Sequence, residues 1–244
     1  MMYRFILGTL FPELFETFVQ TSLIGKAVEK QLLRFDFLNV RDFATDRHRT
    51  VDDTPYGGGP GMVMMPEPVL SAFSTLPDCH KVFLSPQGKP FVQSDASRLA
   101  ELDKPLLLFC GRYEGLDERV VELFDEQISI GDFVLNGGEV AAMAVIEAIS
   151  RLIPGVIGKV DSTIEESFSN GLLEYPQFTR PEELVGKRVP DVLLSGNHRK
   201  IAEWRRGQSL LRTYLVRRDL FDAFAMSDTD KQLFATALKG YTKE

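Results

Sequence analysis

The chain has 244 residues, 44% of them hydrophobic and 26% charged, which is enough for one large or two modest domains around a buried core. No apolar run reaches the length of a membrane-spanning helix, so a membrane protein of that kind is not expected. The two cysteines, Cys79 and Cys110, have no metal-ligand spacing; a disulfide framework is unexpected and a reducing cytoplasm is the natural compartment.

The N-terminal stretch Met1-Met2-Tyr3-Arg4-Phe5-Ile6-Leu7-Gly8 is apolar but too short for a signal sequence. It predicts a first buried strand over residues 4–10. Leu14, Phe18, Val19, Leu23 and Ala27 then recur at helical spacing. Further strands are predicted over 35–40, 81–85, 105–110 and 127–135, several continuously apolar and so buried on both faces. Leu99 and Leu102 follow a cap region at Ser94-Asp95. Residues 138–152, rich in Ala, Met, Val and Ile, predict a buried helix stopped by Pro154-Gly155. Strand–helix alternation of this kind predicts an α/β domain with a mostly parallel sheet over 1–158.

Residues 159–170 are polar and without period, and predict an interdomain linker. A helical C-terminal domain is expected over 171–244, with Ile201, Trp204, Leu210, Leu211, Leu215, Leu220 and Phe224 set among arginines. Ser227-Asp228-Thr229-Asp230 resembles a helix cap. The net charge of −7 is uneven. Residues 1–174 carry 15 Lys/Arg against 26 Asp/Glu, and residues 175–244 carry 13 against 9. An acidic body with a basic tail points to a polyanionic partner for the tail, or to ordinary variation between domains.

Four glycine-bearing loops could carry chemistry. They are Tyr56-Gly57-Gly58-Gly59-Pro60-Gly61-Met62, Leu84-Ser85-Pro86-Gln87-Gly88, Gly111-Arg112-Tyr113-Glu114-Gly115 and Ile130-Gly131-Asp132-Phe133-Val134-Leu135-Asn136-Gly137-Gly138-Glu139. Three follow predicted buried strands, where α/β proteins bind ligands; each could equally be a tight turn. Neither the Walker nor the Rossmann glycine pattern is present, so a ligand less anionic than a pyrophosphate, gripped by backbone groups, fits better. Arg151 ends the predicted helix, where it could serve function or complement the helix dipole. In the tail, seven Lys/Arg against one Glu over 198–218 point to phosphate contacts, with Trp204 either stacking or core.

Together these segments resemble the bacterial tRNA (guanine-N1)-methyltransferases, the TrmD family of the SPOUT superfamily. The likeness runs from Leu10-Phe11-Pro12-Glu13 and Thr50-Val51-Asp52-Asp53 through the four loops. It continues in Tyr175-Pro176-Gln177-Phe178-Thr179-Arg180-Pro181, Leu194-Ser195-Gly196-Asn197-His198 and Trp204-Arg205 to Gln208-Ser209-Leu210. The resemblance implies a SPOUT-type α/β domain with a deep trefoil knot, a small C-terminal helical domain that binds tRNA, and a homodimer with its active site at the interface. It implies S-adenosylmethionine as methyl donor, and the guanine 3′ of the anticodon, at position 37, as acceptor. By position, Phe83, Leu84, Ser85, Pro86, Gly111, Glu114, Ile130, Gly131, Phe133, Leu135, Gly137, Gly138 and Glu174 would hold the donor. Asp52, Asn197, His198, Trp204 and Arg205 would meet tRNA. Mg²⁺ is a further implied cofactor, although the sequence has no dedicated ligand cluster for it.

Guanine N1 is protonated at neutral pH, so methylation there calls for a general base and for a cation near O6. The resemblance gives these roles to Glu166 and Arg151. Two acids depart from the family pattern: Glu166 precedes Ser167-Phe168, and Glu174 follows Leu172-Leu173, where the family has aspartate. Either the pocket accommodates longer carboxylates or another acid such as Glu165 shares the role. The alternative from another class is an RNA-binding protein of this fold without turnover; a dinucleotide-dependent oxidoreductase lacks its fingerprint.

Overall fold

The computed structural model describes residues 2–158 and 166–241. The chain divides into two compact units, Met1–Gly158 and Lys159–Glu244. Residues 159–165 of the expected linker, Glu165 among them, lie outside the described residues.

The first unit runs β1 (Tyr3–Thr9), α1 (Glu13–Gln20), α2 (Ser22–Glu29), β2 (Leu33–Asn39), a 3-10 turn (Val40–Phe43), the two-residue strands β3 (Asp52–Asp53) and β4 (Val63–Met64), and α3 (Pro66–Phe73). It continues with β5 (His80–Pro90), α4 (Gln93–Ala100), β6 (Leu106–Cys110), α5 (Glu118–Val121), β7 (Glu126–Ser129) and α6 (Glu139–Ser150). Five of the strands form one sheet, ordered β2-β1-β6-β5-β7 and parallel throughout. Side chains alternate across a strand, so a strand covered on both faces must be apolar at every position. β6 shows why: Leu106, Leu108 and Cys110 join the core beneath α1, α2, α4 and α6, whereas Leu107 and Phe109 face α3 and α5. All five are fully buried.

Three expectations change in detail. The helical pattern over 14–27 is two helices, because Thr21 is extended and Ser22 has φ 56°. That break lets both helices keep apolar residues on the sheet, Phe15 from α1 and Ile24 and Ala27 from α2. The strand expected over 127–135 stops at Ser129. There the Ser129 hydroxyl donates to the Gly131 carbonyl at 3.0 Å and accepts its N–H at 3.3 Å, replacing ladder bonds with a local turn. β5 runs past the expected 85 to Pro90 by a wide bulge: Leu84 and Lys89 both pair with Ile128, so residues 85–88 leave the ladder and loop out at the sheet's carboxyl edge. A Cβ on Gly88 would stand 2.5 Å from the Ile128 backbone, so only glycine lets the loop return.

Among its described residues the second unit contains a small hairpin, β8 (Glu183–Leu184) with β9 (Lys187–Arg188), and four helices, α7 (Asp191–Leu194), α8 (His198–Val216), α9 (Arg218–Ala223) and α10 (Asp228–Tyr241). Leu172, Leu210 and Phe221 form its core, with the Tyr214, Phe221 and Phe234 rings 5.0–5.2 Å apart. The expected cap of α10 is a reciprocal one: the Ser227 hydroxyl accepts from Asp230 N–H, and the Asp230 carboxylate accepts from Ser227 N–H. Arg206 Nε lies 2.7 Å from Asp230 Oδ1 and fastens α10 to α8. That hydrogen bond, ahead of the Ser227 contacts, holds the Asp230 pKa down at about 2.

Candidate active site

The carboxyl ends of β5, β6 and β7 open into a cavity of about 290 Å³. This is close to the small end of ordinary ligand sites, roughly 300–1,000 Å³. The bulge within β5 supplies one wall, the turn after β6 a second, and the irregular segment 130–138 a third. Phe83, Leu84, Ser85, Pro86, Gly111, Glu114, Ile130, Gly131, Phe133, Leu135, Gly137 and Gly138 all line it. These are the first-unit residues that the resemblance assigns to the donor. Lining residues that the sequence reading left out include Gln87, Arg112, Tyr113 and Asn136. Arg112 and Tyr113 lie inside the quoted motif after β6, and their place at a strand end was the available signal.

Glycine is required where the third wall meets the second. A Cβ on Gly138 would sit 2.7 Å from Cys110 Cα, and Gly138 N–H donates to the Gly111 carbonyl at 3.0 Å. The wall is also tied by charge. Glu139, only 2% exposed, accepts from the Thr9 hydroxyl at 2.8 Å and from Arg112 Nε at 3.2 Å. Arg112 Nη1 donates to the Asn136 carbonyl at 3.2 Å, and the guanidinium lies 4.5 Å over the Phe11 ring. Burial, then the Glu139 charge, pushes the Cys110 thiol well above its usual value, which keeps it protonated. Tyr113 takes φ 59°, uncommon for a side chain of its size. Burial, then the neighbouring Asp52 carboxylate, raises its hydroxyl pKa, with Arg41 opposing. Asp52 thus stands at the β3–β4 ladder beside a cavity-lining residue.

Arg151 is the C-cap of α6, half-buried, one residue past the helix. Glu166 and Glu174 lie in the second unit and come close to each other, because Ser167 Oγ accepts from Glu174 N–H at 3.0 Å. The turn over 166–172 is tight: Phe168 has φ 75° and its N–H donates to the Leu172 carbonyl at 2.8 Å. Leu172 is buried in the core, and Leu173 N–H donates to Thr213 Oγ1 on α8 at 2.9 Å. Both departing glutamates therefore sit on one segment pinned to α8. Glu174 Oε1 accepts from Gln177 Nε2 at 2.5 Å.

A second cavity, about 440 Å³, lies within the second unit, with Tyr175, Phe178, Trp204 and Arg205 in its lining. Trp204 is half-buried, 6.2 Å from Phe178, and the Arg205 guanidinium lies 4.8 Å over the Tyr175 ring. Asn197 caps α8, accepting from Lys200 N–H at 3.1 Å, and His198 follows it, exposed. The arginines expected to form one phosphate-facing surface are divided. Arg206 is committed to Asp230, whereas Arg217 and Arg218 make exposed pairs with Asp219 and Asp222. Exposed pairs of this kind contribute little, because solvent and salt screen them.

Among the described residues no group of three or more His, Cys, Asp or Glu could hold a metal ion, and no helix is long and apolar enough to cross a membrane. The family model described as tRNA (Guanine-1)-methyltransferase TrmD matches residues 2–223. A tRNA (guanine-N(1)-)-methyltransferase of Caldanaerobacter subterraneus subsp. tengcongensis is 51% identical over 236 residues, covering 96% of this chain and 97% of its own. The protein of the same name from Clostridium acetobutylicum is 50% identical over 228 residues, 92% of this chain and 93% of its own. That from Dictyoglomus turgidum is 47% identical over the full length of both. The chain belongs to the TrmD family of tRNA (guanine-1)-methyltransferases.

Proposed function

We propose that this protein transfers a methyl group from S-adenosylmethionine to N1 of the guanine at position 37 of tRNA, 3′ of the anticodon. The strand-end cavity carries the reading: its walls are the loops that the resemblance assigns to the donor, closed by glycines where a Cβ would meet backbone. Its mixed lining suits a donor with an adenine, a ribose and an amino-acid tail. Phe83, Leu84 and Ile130 would pack on apolar parts, while backbone groups at Gly111, Gly137 and Gly138 and the Glu114 carboxylate would meet polar ones. When bound, the donor supplies an electrophilic methyl on a positively charged sulfur. Glu174 is the residue that the resemblance assigns to the donor's amino group.

Glu166 acts as the general base, accepting the guanine N1 proton and so freeing the N1 lone pair for the electrophilic methyl that the donor would supply. A base of this kind contributes ~10²–10⁴-fold. Arg151 opposes the charge that develops on guanine O6. The family relation and the fixed turn carrying Glu166 favour a pocket fitted to the longer carboxylate.

The finer architecture belongs to the same proposal. The trefoil knot is supported by the passage of 130–138 back across the end of β6, where Gly138 bonds Gly111. The homodimer, with the active site across its interface, is supported by Val134 and Val140, exposed beside the cavity where a second copy could cover them. Residues 1–158 bind the donor, 159–170 link, and 171–244 bind tRNA through Asn197, His198, Trp204 and Arg205, with Asp52 from the first unit. The cytoplasm, where unmodified tRNA and donor occur together, is the compartment. Mg²⁺ is implied by the resemblance alone; among the described residues no group of three or more His, Cys, Asp or Glu could hold it.

The test is methyl transfer to unmodified tRNA with guanine at positions 36 and 37 and labelled donor. Label in the tRNA is expected; tight tRNA binding with no transfer at saturating donor would support an RNA-binding protein without turnover.

A further inference from the structure

We infer that Arg112 and Glu139 are positioning residues for the donor cavity, acting through the backbone of residues 136–138. The inference rests on the donor reading of that cavity. Glu139 begins α6 and does not line the cavity, yet its carboxylate is the hub of three segments. Oε1 accepts from Thr9 at the end of β1 and from Arg112 just past β6. Oε2 is buried without a hydrogen bond of its own, its counter-charge being Arg112 Nη2 at 2.9 Å. The guanidinium lies 4.5 Å over the Phe11 ring, and its remaining arm reaches the Asn136 carbonyl.

A buried ion pair is poor evidence for stability, since a well-packed apolar pair often serves as well; its surer product is geometry. Here the geometry is specific. Only a fork can hold a carboxylate on one side and a carbonyl on the other, and Gly137 has no Cβ because one would stand 2.3 Å from Arg112 Nε. Asn136 is therefore held against Arg112 on one side, and Gly138 against Gly111 on the other. Leu135, Gly137 and Gly138, all lining the cavity, are set by that clamp. The pair also gives Phe11 and Thr9, which do not themselves line the cavity, a role in shaping it.

The test is calorimetric binding of S-adenosylhomocysteine, alongside the thermal midpoint without ligand, for Glu139→Gln, Arg112→Lys and the double Arg112→Met/Glu139→Leu. Glu139→Gln cannot remove a direct ligand contact, and Arg112→Lys keeps both charges while losing the fork. Each should weaken binding about tenfold or more, since displacements near 1 Å are that costly. The double variant should recover the midpoint but not the affinity. Glu139→Gln and Arg112→Lys binding within about twofold of wild type would overturn the inference, as would recovery of affinity together with the midpoint in the double variant. Absence of binding by wild type would instead remove the donor reading, and this inference with it.

Discussion

The two units build their sites by opposite means. In Met1–Gly158 the cavity is made largely of backbone: a bulge, a turn and a returning segment, each held by contacts between residues far apart in sequence. In Lys159–Glu244 the candidate RNA contacts are side chains on and around α8: Asn197 caps the helix, and Trp204 and Arg205 lie against Phe178 and Tyr175. A backbone-built site tolerates little change in shape, because its lining moves with the core. A side-chain surface loses contacts one at a time. The contrast predicts graded sensitivities, steep in the first unit and shallow in the second.

The largest effect should come from the residue that breaks this pattern. Glu166 is a side-chain group carried by the second unit, but it hangs on a turn held by the Ser167–Glu174 and Phe168–Leu172 hydrogen bonds. Glu166→Gln should lower the single-turnover rate by ~10²–10⁴-fold while leaving donor affinity nearly unchanged. A wild-type rate would remove it as the base. Next, Gly138→Ala forces a Cβ against Cys110 Cα, so donor affinity should fall by roughly 100-fold in titration calorimetry. Affinity close to wild type would show that the wall yields, and the contrast between the units would be weaker than drawn.

In the second unit the expected effects are smaller. Asp230→Asn removes the charge that Arg206 holds, and should cost about 1–3 kcal/mol in denaturant unfolding near pH 7. The sign of the pH dependence follows from the depressed pKa of about 2. The Asp230 contribution is complete above the ordinary carboxylate value of 3.8 and is lost as pH falls toward 2, so wild type and variant should converge in acid. A stability gap that widened below pH 4 would contradict the pairing. Arg205→Ala should have the mildest effect, a several-fold loss of tRNA affinity with a salt slope shallower by about one. Unchanged affinity and slope would make the stack on Tyr175 purely structural.

Much of this was legible in the sequence because the physics is local or periodic. β6 reads as continuously apolar since both of its faces are covered, and Ser227 with Asp230 reads as a cap because the two are three residues apart. The glycine loops were visible because strand ends and glycine are both marked in the chain. What the sequence hid was pairing at a distance. Thr9 and Glu139 are 130 residues apart, and Arg206 finds Asp230 24 residues away, so neither leaves a repeating signature. For the same reason a run of arginines resembled a single phosphate-facing surface, although Arg206 is spent on packing. The end of β7 was misplaced because Val134 and Leu135 are as apolar as a strand yet line or flank a cavity instead.

The most direct test of the central claim is the chemical identity and position of the product. After one turnover with labelled S-adenosylmethionine and unmodified tRNA, nuclease digestion and mass spectrometry should find a single N1-methylguanosine, at position 37. Methyl on another base or another guanine atom, or none despite saturating donor and bound tRNA, would contradict the account.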